Sequence, residues 1–398
     1  MSLSSSFALA AGPAAPPASA AHLAAVGSAG HSRVVSRTQH SQPRVDLVIA
    51  GARGQVGSSL CRLLSERQAG LRELAGVDLC LLAGYDRHGL AFSLAGLPAP
   101  AHTQFRTRAP GEVEALLEHL CGSGAVATVF VDCTASDEVA DGYPRLLASG
   151  VGLVCANKRA NARDYASWQR LQRIAREYGA PYRYETTVGA AIPLLGPLRD
   201  LRLRGERVLG IEGLLSGSLS HILHRVHEGC AFSEAVAEAR ALGFTEPDPM
   251  EDLCAVDLSR KLLVLARECG FVLEPEDLEV EPLVDVDAVE RLGFDAAVRA
   301  EDQRWRERIA SARESGERWV VLAQAGLDGA RVATRRVPAN SPFANLPAGQ
   351  NLVCVRTSLQ DRAPLVLGGP GAGPDITAAG LLSDIVAAAR ELSLRGSC

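Results

Sequence analysis

Two lysines and the acids near one of them are the residues of this chain best equipped for chemistry. Lys and Arg together number 41, yet only Lys158 and Lys261 are lysine. Arginine can serve surface charge and carboxylate pairing, but its guanidinium stays protonated. It cannot replace lysine where a proton must move or a compact ammonium is needed. Lys261 closes the segment Ala241–Lys261, ALGFTEPDPMEDLCAVDLSRK. Its two prolines keep residues 246–249 extended and outside the following helix. In that helix, read as one long amphipathic element over DLCAVDLSRKLLVLAREC, Asp257 and Lys261 stand four residues apart on one face. Glu246 arrives from the loop. A carboxylate pair beside an ammonium suits a zwitterionic small molecule: the acids hold an α-amino group, and the lysine sits at an oxygen that changes oxidation state. A surface i,i+4 salt bridge, common and worth little, is the competing reading.

A second constellation opens the folded region. VDLVIAGA reads as a buried strand, and the turn Gly51-Ala-Arg53-Gly54-Gln55-Val56-Gly57 hands it to a helix. Glycines there allow a tight turn and let the backbone approach a pyrophosphate, which meets the N–H groups of the helix N-terminus. Gly51, Arg53, Gly54, Gln55, Val56 and Gly57 are therefore candidate dinucleotide contacts. After the second strand an acid would hold ribose hydroxyls and an arginine would welcome a 2′-phosphate. Asp86 and Arg87 are adjacent there, and Arg53 also faces this end, so the residues leave NAD and NADP both open. Thr134 in DCTAS and Lys158 in ANK occupy two further strand ends, where ligands of doubly wound sheets sit.

The elements that must position these groups alternate. VDLCLLAGYD, ATVFVDCTAS and VGLVCANK are strands separated by helical segments, which implies a parallel sheet with right-handed crossovers. The middle of the chain reads as helices and strands of a different pattern, and the C-terminus returns to a glycine-rich loop feeding a helix. The expected fold is α/β: a Rossmann-type doubly wound dinucleotide-binding domain (44–160), an α+β catalytic and dimerisation domain (161–362), and a C-terminal segment (363–398) returning to the cofactor domain. Residues 1–43, rich in Ala, Ser and Pro and free of Asp and Glu, read as a disordered tail or an organellar transit peptide.

Composition narrows the partners. A net charge of −5 gives no reason to expect nucleic acid, and no apolar run is long enough to span a bilayer. The ten cysteines form no CxxC pair, which fits a reducing compartment and gives no support to zinc. The HxxHxxH of His221, His224 and His227 spreads over some ~200° of helix arc, too wide for one ion, and reads as solvated histidines. Trp305 and Trp319 read as packing residues.

VDCTASDEVADGYPRLLASGVGLVCANKRAN, YETTVGAAIPLL, EGLLSGSLSHIL, LGGPGAGPDITAAG and the acidic segment before Lys261 resemble, in the same order, segments of the homoserine dehydrogenases. The likeness is strongest to the dehydrogenase half of bifunctional aspartokinase–homoserine dehydrogenases, with no kinase portion expected before it and no regulatory domain after it. The resemblance implies NAD(P)-dependent interconversion of L-homoserine and L-aspartate 4-semialdehyde in threonine and methionine biosynthesis. It makes Lys158 and Lys261 the active-site lysines, with Lys261 the proton donor and acceptor. Glu246 and Asp257 become substrate-binding acids; Thr134, Lys158, Gly243 and Gly373 line the nicotinamide end of the NADP or NAD site. Glu185 with the carbonyls of Val188, Ala190 and Ile192 matches a monovalent cation site, sodium by expectation. A cytoplasmic homodimer is implied, or a plastid one if the first residues are a transit peptide. The chain departs from the family at the GxxGxxG turn, at Ala191 in VGAAIP, and at Met250, Glu251, Cys254 and Ala255. The alternative reading is another amino-acid-pathway NAD(P)H reductase, or a non-catalytic dinucleotide-binding paralogue.

Overall fold

A computed structural model describes residues 42–98, 104–122, 127–246, 248–347 and 349–395. Residues 1–41, and with them nearly all of the segment read as a tail or transit peptide, lie outside the described residues. Seven strands build the first sheet: β1 (Arg44–Ala50), β2 (Asp78–Tyr85), β3 (Gly89–Phe92), β4 (Arg106–Thr107), β5 (Thr128–Asp132), β6 (Gly152–Cys155) and β7 (Tyr182–Arg183). Their spatial order is β4-β3-β2-β1-β5-β6-β7. β1, β2, β5, β6 and β7 run parallel, and β3 and β4 extend the sheet antiparallel.

β1 shows why the sheet is central. Successive strand side chains point to opposite faces, and here both faces are covered, so the strand must be apolar throughout. Leu47 and Ile49 join the core beneath α1 (Gln55–Ala75) and α13 (Pro374–Arg395), with Leu60, Leu64, Leu381 and Ile385. Val48 and Ala50 face the other way, toward α2 (Glu112–Gly122), α4 (Tyr143–Ala148) and α5 (Tyr165–Glu177), where Leu116, Leu146 and Leu171 lie. The strand order reverses between β1 and β5, so a crevice opens at their carboxyl ends.

The second sheet joins β8 (Val208–Leu214), β9 (Leu278–Val280), β10 (Glu317–Gly326), β11 (Gly329–Pro338), β12 (Gln350–Thr357) and β13 (Leu365–Pro370) in the order β13-β12-β8-β10-β11-β9. All neighbours are antiparallel except β9, which runs parallel to β11. α7 (Gly217–His227), α10 (Val256–Cys269) and α12 (Phe294–Glu314) cover one face. α8 (Phe232–Ala241) packs on α7 and α12, with Phe232 stacked on the buried Trp305 at 5.5 Å between ring centroids. None of the described helices is long and apolar enough to cross a membrane.

Three expectations change. The first sheet does not close at residue 160, because α5 and the short β7 extend it to Arg183; β13 belongs to the second sheet, so only α13 returns to the first. The helix expected over residues 252–269 is two helices, α9 (Pro249–Leu253) and α10, parted at Cys254 and Ala255, where Ala255 takes φ 54. A left-handed residue cannot continue a right-handed helix. His227 is not solvated: it is buried, with Nε2 accepting the Trp319 N–H at 3.0 Å, and burial pushes its pKa down to about 4. Among the described residues no His/Cys/Asp/Glu cluster is built to hold a metal.

Candidate active site

The glycine turn lies at the crevice. Gly51 takes φ 76, and its N–H donates to the Tyr85 carbonyl at 2.7 Å, tying the turn to the end of β2. A Cβ on Gly57 would lie 2.2 Å from the Gly51 oxygen and 2.8 Å from the Ala52 Cα, so only glycine lets the helix begin this close to the strand. Gly54 precedes α1 with no side-chain cap, and the first turn carries no acid. The N–H groups there are left for an anion. A cleft of about 1110 Å³ runs from Gly51, Arg53 and Gly54 past Asp86, Arg87, His88 and Arg108 to Thr134 and Ser136. The turn, its uncapped helix and this cleft fit a dinucleotide.

Beyond the turn, Asp86 accepts from Arg53 Nε at 2.5 Å and Nη2 at 2.8 Å, and from the N–H groups of His88 and Gly89 at 2.8 and 2.9 Å. The Arg53 bond, with these backbone donors, holds its carboxyl down at about 2. Four donors leave little capacity for ribose hydroxyls. Arg53 also stands over the Phe105 ring at 4.8 Å, and Arg87 and His88 are exposed beside it.

The two lysines meet on one carboxylate, Asp257. Lys158, just past β6, donates to Asp257 Oδ1 at 2.8 Å; Lys261, on α10, donates to Asp257 Oδ2 at 2.8 Å. Lys261 also donates to the Leu215 carbonyl at 2.8 Å. Burial alone would raise the Asp257 carboxyl, but the two ammonium groups hold it well below the usual carboxylate range. Glu246 is exposed in its loop; partial desolvation and the charges of Asp257 and Asp252 push its pKa up, with Lys158 opposing. The four expected side chains therefore share one electrostatic neighbourhood.

Asp252 is a member that sequence reasoning missed. It is buried, accepts from Ser218 Oγ at 2.5 Å on Oδ1 and from the Glu246 N–H at 2.8 Å on Oδ2, and so anchors the loop that carries Glu246. Burial pushes its carboxyl up. Five residues on a continuous helix would place Asp252 and Asp257 roughly 140° apart; here the helix is broken between them at Cys254 and Ala255. An acid so close to Glu246 and Asp257 was the available signal.

Of the other expected residues, Thr134 borders the glycine turn: a Cβ on Gly51 would lie 3.0 Å from Thr134 Cγ2. Gly373, φ 118, precedes α13, whose Asp375 accepts from Ser59 Oγ at 2.6 Å and Arg62 Nη2 at 2.7 Å on α1. Gly243, φ 71, is exposed in the Glu246 loop. Glu185 is committed elsewhere: Oε1 accepts the Leu194 and Leu195 N–H groups at 2.5 Å each, and Oε2 accepts Gly196 N–H at 2.9 Å. With Pro197 next, the carboxylate satisfies the free N–H groups that begin α6 (Leu195–Leu203). Among the described residues the carbonyls of Val188, Ala190 and Ile192 accept no hydrogen bond, although all three residues are buried. This all-oxygen set, on a turn with φ 76 at Gly189 and 54 at Ala190, fits a hard cation held by carbonyls.

A dinucleotide turn at a topological switch point, with a lysine–carboxylate cluster joining the end of β6 to a helix that packs on the second sheet, defines a two-domain nucleotide-dependent oxidoreductase. Sequence models described as homoserine dehydrogenase NAD binding domain and homoserine dehydrogenase match residues 53–185 and 193–386. A bifunctional aspartokinase/homoserine dehydrogenase of Zea mays is 34% identical over 341 residues, covering 84% of this chain and 37% of that one. Its Haemophilus influenzae counterpart is 33% identical, covering 86% and 42%. The chain thus spans less than half the length of these curated relatives. A Candida auris protein of unknown function superposes with TM-score 0.78 at 29% identity, over 87% of this chain and 98% of that one. A hyperthermophilic archaeal homoserine dehydrogenase in complex with NADPH superposes with TM-score 0.67 at 24% identity, over 87% and 97%. The chain belongs to the homoserine dehydrogenase family, whose members are NAD(P)-dependent oxidoreductases.

Proposed function

We propose that this chain interconverts L-homoserine and L-aspartate 4-semialdehyde, with NADP(H) preferred over NAD(H). The observation that carries the reading is the Asp257 carboxylate shared by the chain's two lysines. The bound dinucleotide supplies or accepts the hydride. An ammonium has three donors; Lys261 spends one on Asp257 and one on Leu215, which leaves the third for the substrate oxygen. Lys261 gives a proton to that oxygen during aldehyde reduction and takes it back during alcohol oxidation. Lys158 adds positive charge beside the developing alkoxide. Both Asp257 oxygens hold lysines and both Asp252 oxygens hold Ser218 and the Glu246 loop, so Glu246 is the acid that meets the substrate α-amino group, with Asp257 supplying negative charge beside it. The four donors on Asp86, two of them from Arg53, support a 2′-phosphate rather than free ribose hydroxyls at the end of β2.

The same reading includes a sodium ion on the carbonyls of Val188, Ala190 and Ile192, with Glu185 as nearby countercharge. It also includes a homodimer formed through the unit of the second sheet, tested by light scattering in solution. We place the protein in the cytoplasm, or in plastids if residues 1–43 direct import, which a fluorescent fusion of that segment tests. The activity is tested by initial rates on L-homoserine with NADP and with NAD. Turnover with NADP at the higher kcat/KM is expected; NADPH binding without turnover of either substrate overturns the assignment.

A further inference from the structure

We infer that Asp132 is a positioning residue: one buried carboxylate sets both the Lys158 loop and the Thr134 border of the cofactor turn. The inference rests on the proposed role of Lys158. Asp132 ends β5 and is fully buried. Its Oδ1 accepts the Thr134 N–H at 2.7 Å; its Oδ2 accepts Tyr143 Oη–H at 2.7 Å and Asn157 Nδ2–H at 3.0 Å. Every one of these partners is a donor. An acid suits the position because an amide would turn an NH₂ group onto one of them.

The consequences run along two strand ends. Asn157 immediately precedes Lys158, and its amide is fully engaged: Nδ2 also donates to the Ser136 carbonyl at 2.9 Å, and Oδ1 accepts the Arg159 N–H at 3.1 Å. The Ala156 N–H donates to the Asp132 carbonyl at 2.9 Å. Residues 156, 157 and 159 are thus all fixed, directly or through Asn157, to Asp132, and Lys158 projects from a pinned loop toward Asp257. On the other side Thr134 is held against Gly51. Tyr143 touches the same carboxylate but reaches neither loop.

Three variants separate positioning from mere stability. Asn157→Ala should lower kcat about 10–100-fold, the scale of small misplacements of catalytic groups, while NADPH affinity by fluorescence titration stays within about threefold. Asp132→Asn should impair both. Tyr143→Phe should lower Tm yet leave kcat near that of the unsubstituted chain. Because the chain has two lysines, selective ¹³C-lysine labelling gives two side-chain NMR signals, a readout that needs no turnover. The Lys158 signal should move toward its solvent-exposed position in Asn157→Ala, with Lys261 unmoved and Tyr143→Phe unchanged. An unmoved Lys158 signal in Asn157→Ala, or Tyr143→Phe matching it in kcat and signal, overturns the inference. Absence of homoserine turnover in the unsubstituted chain would instead sink the activity, leaving the NMR comparison to decide positioning.

Discussion

Lys261→Arg isolates proton transfer from charge. Lys261 holds Asp257 Oδ2 and the Leu215 carbonyl, each at 2.8 Å, and keeps one N–H for substrate. An arginine retains a positive charge and can still pair with Asp257, and Lys158 remains on the other carboxylate oxygen. What it loses is exchange, since guanidinium does not deprotonate. General acid–base catalysis contributes about 10²–10⁴-fold, which is about 2.7–5.4 kcal/mol of barrier at 1.36 kcal/mol per decade. With the electrostatic share retained, the lower half of that range applies: kcat should fall about 10²–10³-fold in both directions. The assay is steady-state nicotinamide absorbance with homoserine and with aspartate semialdehyde, alongside NADPH titration to show an intact cofactor site. Lys261→Met, which removes charge as well, should lose more. A near-normal kcat in the arginine variant would strip Lys261 of proton transfer and reduce it to a charge.

Arg53→Ala should raise KM for NADP about 10–100-fold, the worth of a hydrogen bond to a charged group, and leave KM for NAD nearly unchanged; equal effects on both cofactors would argue against a phosphate contact. Gly57→Ala places a Cβ 2.2 Å from a backbone oxygen that cannot rotate away. NADPH binding should be lost and stability should drop by about 3 kcal/mol or more, read by titration and urea melts. His227 sets a pH limit: the unfolded chain binds a proton near 6.5, whereas burial delays this in the fold to about 4. Stability is therefore whole above pH 6.5 and declines as pH falls toward 4, by up to about 3 kcal/mol. Urea melts of His227→Gln at neutral and acid pH should show a shallower decline than the unsubstituted chain, and an equal slope would contradict the assignment.

What the sequence made legible follows from how local each signal is. The β1–turn–α1 unit is written in a continuous stretch whose glycines have backbone reasons, and the lysine–carboxylate cluster stands out because lysine is otherwise absent. The Arg53–Asp86 pair could not be read, because its partners are 33 residues apart and Arg87, adjacent to Asp86, competes for the same reading. β7, a two-residue strand, carries no periodicity. Glu185 looked like a ligand from its motif, but its carboxylate is spent on the N–H groups of a helix nine residues downstream. The break at Ala255 was invisible for a different reason: alanine is the best helix former, and only tertiary contacts hold it left-handed.

That break decides how the departures from the family weigh on the site. Ala191 is exposed and its φ is not positive, so the replacement of glycine costs the turn nothing; the left-handed residues are Gly189 and Ala190. Ala255 does occupy the left-handed region, at a cost of about 1–2 kcal/mol, and it is buried. The bend persists because bonds on both sides hold it: before it, Ala255 N–H donates to the Asp252 carbonyl at 2.7 Å and Ser218 holds the Asp252 side chain; after it, the Ala255 carbonyl accepts the Ser259 N–H and Oγ–H, each at 2.8 Å. Strain retained beside a functional site needs surrounding structure to retain it, and here the bonds of Ser218, Asp252 and Ser259 do so. Across the bend, Asp252 holds the Glu246 loop while Asp257 holds the two lysines. Of the four departures at 250, 251, 254 and 255, Ala255 is the one that takes the left-handed conformation and so bears on the bend, and nothing in the structure explains the other three.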